Sequence, residues 1–266
     1  MSALLSLLRT GKQPVVGMVQ LAALAGGSRY RQAGIDEVLE PALKDAEILA
    51  THGVDALMVQ NLGDIPTDLH ATSAQVAWMT RVVHEVRRRT GKPTGLNLLE
   101  NDAEAMIAVA SAAEADFVRI KIYVGAMVTP FGIESAQAFA AIKARTAWSA
   151  DDVAIFADVH DRTGNPLVAG TLEDDLDAAV RLGAADALVL TGKTYPGTKE
   201  LIETARRVVG KTPILVGGGV TPSNIREIQA VADGVIVSSS LKHNGTAFGR
   251  FDPARVREFM AAARAA

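Results

Sequence analysis

Three consecutive glycines, Gly217, Gly218 and Gly219, and further along three consecutive serines, Ser238, Ser239 and Ser240, have the makings of an anion site. Glycines let backbone N–H groups approach an anion closely, and serines add hydroxyl and N–H donors. The competing reading of the glycines is a tight turn needed for packing alone. Lys242 follows the serines and would either reach the same anion or lie in solvent.

A second group carries titratable chemistry. Asp158 and His160 alternate at the end of a strand-like run, so they would share a face and serve as acid and base or as metal ligands. The plainer reading is a hydrogen-bonded pair at a rim. Arg119 and Lys121 alternate in RIKIY, and both are expected to point inward because Ile120 and Ile122 suit an apolar layer. Two buried cations require anions, for which Asp158, Asp64, Glu100 or a bound substrate are the candidates. Lys121 or Lys193 could form a Schiff base if desolvated, although Lys193 in TGKTY better suits an anion or solvent. Gln20, Gln60, Asn61, Asn97 and Asn101 end strand-like runs; such amides suit hydroxyl-bearing ligands and make poor bases. Asp64 is the best acid on that side. His52, His70, His84 and His243 have no partner pattern that marks them for chemistry.

The elements that must hold these residues are eight short apolar runs, at 15–20, 56–60, 94–98, 117–122, 153–159, 187–191, 214–217 and 235–238. They alternate with segments of helical period, such as Val76, Met79, Val83 and Val86. Continuous apolar strands alternating with helices indicate a buried parallel sheet. A repeat indicates that the sheet closes. VDALMV, ADFVRI, ADALVL and ADGVIV lead into the even-numbered strands, and GKQP, GKP and GKTP into three odd-numbered ones; the fifth strand departs, entering through Asp151 and Asp152. Four repeats of a two-strand unit make one (β/α)8 TIM barrel, an α/β fold, over residues 1–266. The lead-ins then lie at the bottom face and serve stability, while the long loops after strands 1, 2, 4 and 5 crowd the functional top. The glycine and serine runs follow strands 7 and 8, where such barrels usually hold phosphate. A capping pattern at 101–104 and prolines at 222 and 253 predict helix starts, and residues 3–8 a short helix over the bottom.

Composition narrows the function. Apolar residues make up 48% and charged residues 21%, enough for a large core and against disorder. The net charge of −3, with no basic run beyond Arg87, Arg88 and Arg89, disfavours nucleic acid as a partner. The absence of cysteine excludes disulfides and a cysteine nucleophile. No long apolar run or secretory pattern is visible, so a cytoplasmic protein without membrane insertion is expected. Apolar helix faces suggest a homo-oligomer.

The segments GMVQLAALAGGSRY, QNLGD, GLNLLEND, VGAMVTPFG, ADVH, VLTGK, VGGGVTPSNI and ADGVIVSSSLK, in this order, resemble the BtpA/SgcQ family over nearly the whole chain. The resemblance implies a (β/α)8 barrel with a phosphate-type site. It also implies a link to photosystem I biogenesis, the role for which the family is named. The chain departs from the family pattern at Gln20, Gln60, Lys121 and Tyr123, and where ADVHDRT stands in place of ADVHVKH. Titratable and ligand-type groups have become amides, lysine or tyrosine, so no cofactor is predicted and a divalent metal lacks support. The expected function is enzymatic: isomerisation or epimerisation, lysis, or glycosidic-bond cleavage of a small phosphorylated sugar-like or nucleotide-like molecule. The phosphate would rest on the residues after strands 7 and 8. Asp158, His160, Lys121, Asp64 and Asn97 would act on the other end, with Gln20, Gln60, Asn61, Arg119 and Lys193 as further contacts. The alternative is a non-catalytic binding or assembly factor of the BtpA type.

Overall fold

A computed structural model describes residues 2–32, 34–167 and 170–265. The strands are β1 (Val15–Gln20), β2 (Ala56–Gln60), β3 (Thr94–Asn97), β4 (Phe117–Ile120), β5 (Ala126–Thr129), β6 (Gly132–Ser135), β7 (Ala154–Asp158), β8 (Asn165–Pro166), β9 (Ala187–Leu190), β10 (Ile214–Val216) and β11 (Gly234–Val237). Helices α1 (Ala3–Arg9), α2 (Asp36–Thr51), α3 (Ser73–Thr90), α4 (Ala103–Ala113), α5 (Ala138–Ala147), α6 (Leu172–Asp177), α7 (Tyr195–Val209), α8 (Ile225–Gln229) and α9 (Pro253–Arg264) fall before, between and after them. The parallel barrel closes in the order β1, β2, β3, β4, β7, β9, β10, β11 and back to β1. The closed parallel barrel expected from the repeat is therefore the fold.

The inside of the barrel is packed by Val16, Met18, Met58, Phe117, Phe156, Val189, Leu215 and Ile236. Phe117 and Phe156 stack with ring centroids 4.7 Å apart. Leu4, Leu5 and Leu8 of α1 join this cluster, so the short N-terminal helix plugs the bottom as expected. A second apolar layer fills the space between strands and helices.

The repeated aspartates form a clamp at each quarter of the barrel. Asp55, Asp116, Asp186 and Asp233, each just before an even-numbered barrel strand, accept hydrogen bonds from the N–H groups of Val15, Thr94, Ile155 and Ile214 on the preceding strand. In return, the N–H of each aspartate donates to the carbonyl of that same residue. An arginine from the helix layer completes each clamp: Arg264, Arg87, Arg145 and Arg206. The fifth barrel strand, β7, lacks the shared lead-in but keeps the clamp through Asp186.

Two helix starts differ from expectation. The cap of α4 is Asp102, whose side chain accepts from Ala105 N, while Asn101 bonds both the N–H and the carbonyl of Ile122. That bonding also draws Ile122 off β4, which stops at Ile120 instead of 122. Pro222 does not open α8. Thr221 N donates to the Asn224 side chain, whose amide donates to Gly219 O, and this turn delays the helix to Ile225. Pro253 does open α9, capped by Asp252.

Above the mouth, β5, β6 and β8 form a small antiparallel sheet from the loops after β4 and β7. Among the described residues, no helix is long and apolar enough to cross a membrane.

Candidate active site

A cavity of about 610 Å³ opens at the C-terminal ends of the barrel strands. Gly217, Gly218, Gly219, Ser238, Ser239 and Ser240 line one side of it, and the hairpin tip residues Thr129, Pro130 and Phe131 another.

On the first side the backbone requires glycine. A Cβ on Gly217 would fall 2.6 Å from Val189 Cγ1 and 3.0 Å from Arg119 Nη2, and Gly219 has φ +74°, which disfavours any side chain. Gly217 N donates to Thr191 Oγ1, whereas the N–H groups of Gly218 and Gly219 donate to no described residue. The Arg162 guanidinium lies over Gly218, with Nη2 3.1 Å from the position a Cβ would take. Arg162 is exposed and pairs with no described carboxylate. Ser238 Oγ donates to Gln20 Oε1, and Ser240 Oγ to Val220 O.

The opposite side is charged. Arg119 points inward and binds Asp158 at two points, Nε to Oδ1 at 2.8 Å and Nη2 to Oδ2 at 2.6 Å. Lys121 also turns to the cavity and pairs with Glu100, whose other oxygen accepts from Thr67. The inward orientation expected for both cations is thus present, and each has its own carboxylate. Burial holds the Asp158 carboxyl above its ordinary value in spite of Arg119, with Asp161 alongside adding to the rise. Asp161 is also buried, yet Lys121, Arg119 and the bonds from Thr163 hold it below the usual carboxylate range. Within the hairpin, on β6, burial raises Glu134, which accepts from Thr129 through one oxygen and leaves the other without a partner among the described residues.

Between the two sides runs a line of amides. Gln20, Gln60 and Asn97 all line the cavity and bond in series from β1 to β3.

The remaining expected residues lie elsewhere. Asp64 is fully buried and accepts from Leu24 N, Asn61 Nδ2 and Gln75 Nε2, pinning the loop after β1 to that after β2. Asn61 is fully buried and accepts from Leu99 N, tying in the loop after β3. Neither lines the cavity. His160 has a φ of +53°, which breaks the extended alternation, and its ring turns to Asp175 Oδ2 at 2.8 Å; together with Asp158 and Lys121 it lines a smaller pocket of about 160 Å³, and neither Asp158 nor His160 lines the main cavity. Lys193 is exposed and outside the cavity lining. Lys242 is neither in solvent nor in the cavity; it is 1% exposed, over the Phe251 ring, and burial lowers its pKa to about 8. Tyr123 is buried and donates to Gly183 O.

Sequence reasoning did not single out Asp161, Arg162, Thr163 or Thr191, all of which line the cavity. A signal was present, because Asp161, Arg162 and Thr163 directly follow ADVH, one of the segments that carry the resemblance, and Gln20, Gln60 and Lys121, also marked from the sequence, line the same cavity. Among the described residues, no group of three or more histidines or carboxylates is arranged to hold a metal ion.

A sequence model of the BtpA family matches residues 11–265. The photosystem I biogenesis protein BtpA of Synechocystis sp. is 34% identical over 94% of this chain and 87% of its own length. Solved barrels of similar fold include N-(5'-phosphoribosyl)anthranilate isomerase from Pyrococcus furiosus, at a TM-score of 0.54 and 16% identity, covering 95% of this chain and 98% of the other. Orotidine 5'-phosphate decarboxylase from Pyrococcus horikoshii superposes at a TM-score of 0.59 and 14% identity, covering 95% of this chain and all of the other.

Proposed function

The chain belongs to the BtpA family, and from that premise we propose that it is an enzyme acting on a small phosphorylated sugar-like or nucleotide-like molecule. One observation carries this reading. The glycine and serine loops, capped by the unpaired Arg162, open onto the same cavity as Lys121, Glu100, Arg119 and Asp161. Free N–H groups beside a guanidinium suit a phosphate dianion. The two solved barrels named above are, by their names, an isomerase and a decarboxylase of phosphate-bearing compounds.

The reacting end of the substrate lies over Lys121, Glu100 and Asp161. Lys121 stabilises a developing oxyanion, and Asp161 takes the proton, while Glu100, held by Lys121 and Thr67, positions the ammonium. Asp158 acts through Arg119, since both of its oxygens are held by the guanidinium. Isomerisation or epimerisation, lysis and glycosidic-bond cleavage all use such an oxyanion stabiliser or acid–base pair. We place the protein in the cytoplasm as a homo-oligomer.

Inorganic phosphate tests the anchor. Thermal unfolding with rising phosphate should show stabilisation that follows mass action, about 2.7 kcal/mol at a hundredfold excess over Kd. Arg162→Met should reduce it sharply. No shift in the wild-type protein, together with no phosphorylated compound by mass spectrometry of the purified protein, would end the proposal.

A second reading, a non-catalytic assembly factor, is favoured by the name of the Synechocystis relative. It leaves the Lys121–Glu100 and Arg119–Asp158 pairs without a purpose at the mouth, where keeping them desolvated is costly.

A further inference from the structure

The amide line along the cavity wall has a fixed direction, set from one end by a buried cation. Lys242 Nζ donates to Gln20 Oε1 at 2.6 Å and to Ala247 O, with the Phe251 ring beneath it. An ammonium only donates, so Gln20 must present its oxygen; Ser238 Oγ donates to the same atom at 2.8 Å. Gln20 Nε2 is thereby turned toward Gln60 Oε1 at 3.4 Å. Gln60 Nε2 then donates to Asn97 Oδ1 at 2.6 Å, and Asn97 Nδ2 to Arg119 O at 3.0 Å. Every amide nitrogen carries two N–H groups and uses one in the line. Gln60 and Asn97 each keep one N–H and one lone pair, but both lone pairs of Gln20 are taken by Lys242 and Ser238, so Gln20 has only an N–H to spare, and Arg119 and Lys121 on β4 and just beyond it add donors alone. Of the carboxylates nearby, Asp158 and Glu100 are paired with Arg119 and Lys121, and Asp161, whose Oδ1 accepts from Thr163, belongs to the loop after β7, outside the amide line.

We propose, on the basis of the phosphate-site reading above, that this wall selects a phosphorylated ligand whose other end carries a hydrogen-bond acceptor, a carboxylate or carbonyl oxygen, and rejects one ending in an ammonium. Lys242 is the positioning residue, acting through Gln20. An acceptor meets the spare N–H of Gln20 and the cations of Arg119 and Lys121, whereas an ammonium meets those cations with like charge and finds no lone pair left on Gln20. The anion loops touch this wall directly through Ser238 and Gln20, so short probes are matched to it.

Matched two-carbon probes test the selection by calorimetry: ethyl phosphate, 2-phosphoglycolate and O-phosphoethanolamine, with inorganic phosphate as reference. In the wild type, 2-phosphoglycolate should bind about tenfold tighter than ethyl phosphate, and O-phosphoethanolamine no tighter than ethyl phosphate. Gln20→Met removes the link without changing charge, leaving Arg119 and Lys121 in place. The ratio of 2-phosphoglycolate to ethyl phosphate affinity should fall roughly two- to tenfold in this variant. Lys242→Met should lower the same ratio, and the double variant should lower it no further than the larger single effect. A preference for O-phosphoethanolamine, or an unchanged ratio in Gln20→Met, overturns the selection while leaving the phosphate anchor intact. Failure of inorganic phosphate and ethyl phosphate to bind the wild type defeats the phosphate reading itself, and this selection with it.

Discussion

Arg119 and Asp158 show how a single pair of residues holds the site. Their side chains are 8% and 2% exposed, and two parallel hydrogen bonds join them. Arg119→Met strands a buried carboxylate and should destabilise the fold by about 3–5 kcal/mol in urea unfolding, whereas Arg119→Met with Asp158→Leu should recover most of that loss. Lys242 provides a pH test. Its pKa is about 8 in the fold against an ordinary 10.5, through burial, partly countered by Asp45 and added to by Arg250. Between these values the unfolded chain binds the proton that the fold rejects, so stability rises with pH. Relative to Lys242→Met, the wild type should gain about 2 kcal/mol between pH 8 and pH 10, and no such gain below pH 8. Neither behaviour was legible in the sequence. Inward-facing cations could be read from the alternation in RIKIY, but their partners depend on strands that meet only when the barrel closes. The burial of Lys242 depends on Phe251 folding back over it from beyond the serine loop.

At the scale of elements, strand and helix order could be read almost entirely from hydrophobic period and lead-in motifs, because both are local. What failed was also local in cause. Positive φ at His160 broke an alternation that extended backbone would have kept, and Asn224 delayed a helix that Pro222 was expected to open. The hairpin of β5 and β6 was read only as a long loop, and its pairing with β8 needs a segment from the next loop. The clamps give the clearest element-level expectation. Replacing Asp116 or Asp233 by Ala leaves a strand-opening N–H without its acceptor and frees an arginine, which should cost about 1–3 kcal/mol at either position. The two sites belong to different quarters, so the double replacement should be additive within about 0.5 kcal/mol by urea unfolding. In the plug, Leu4→Ala empties a fully buried position in α1 and should cost about 2–5 kcal/mol.

For the whole molecule, a fourfold sequence repeat becomes a ring of four equivalent joints, each holding the start of one strand to the start of the next by hydrogen bonds and an ion pair rather than by the polypeptide alone. In such a ring, covalent order and spatial order are separable. The end of α9 reaches the first joint through Arg264 and Asp55, and α1 sits under the same face, so a linker from α9 to α1 need not cross the barrel. A new opening cut in the exposed connection between α7 and β10 would leave the joint at Asp233 assembled through Ile214 and Arg206. Such a circular permutant should still unfold cooperatively, within about 10 °C of the parent midpoint, and loss of cooperativity would show that the order of the chain, and not its joints, holds the circle shut.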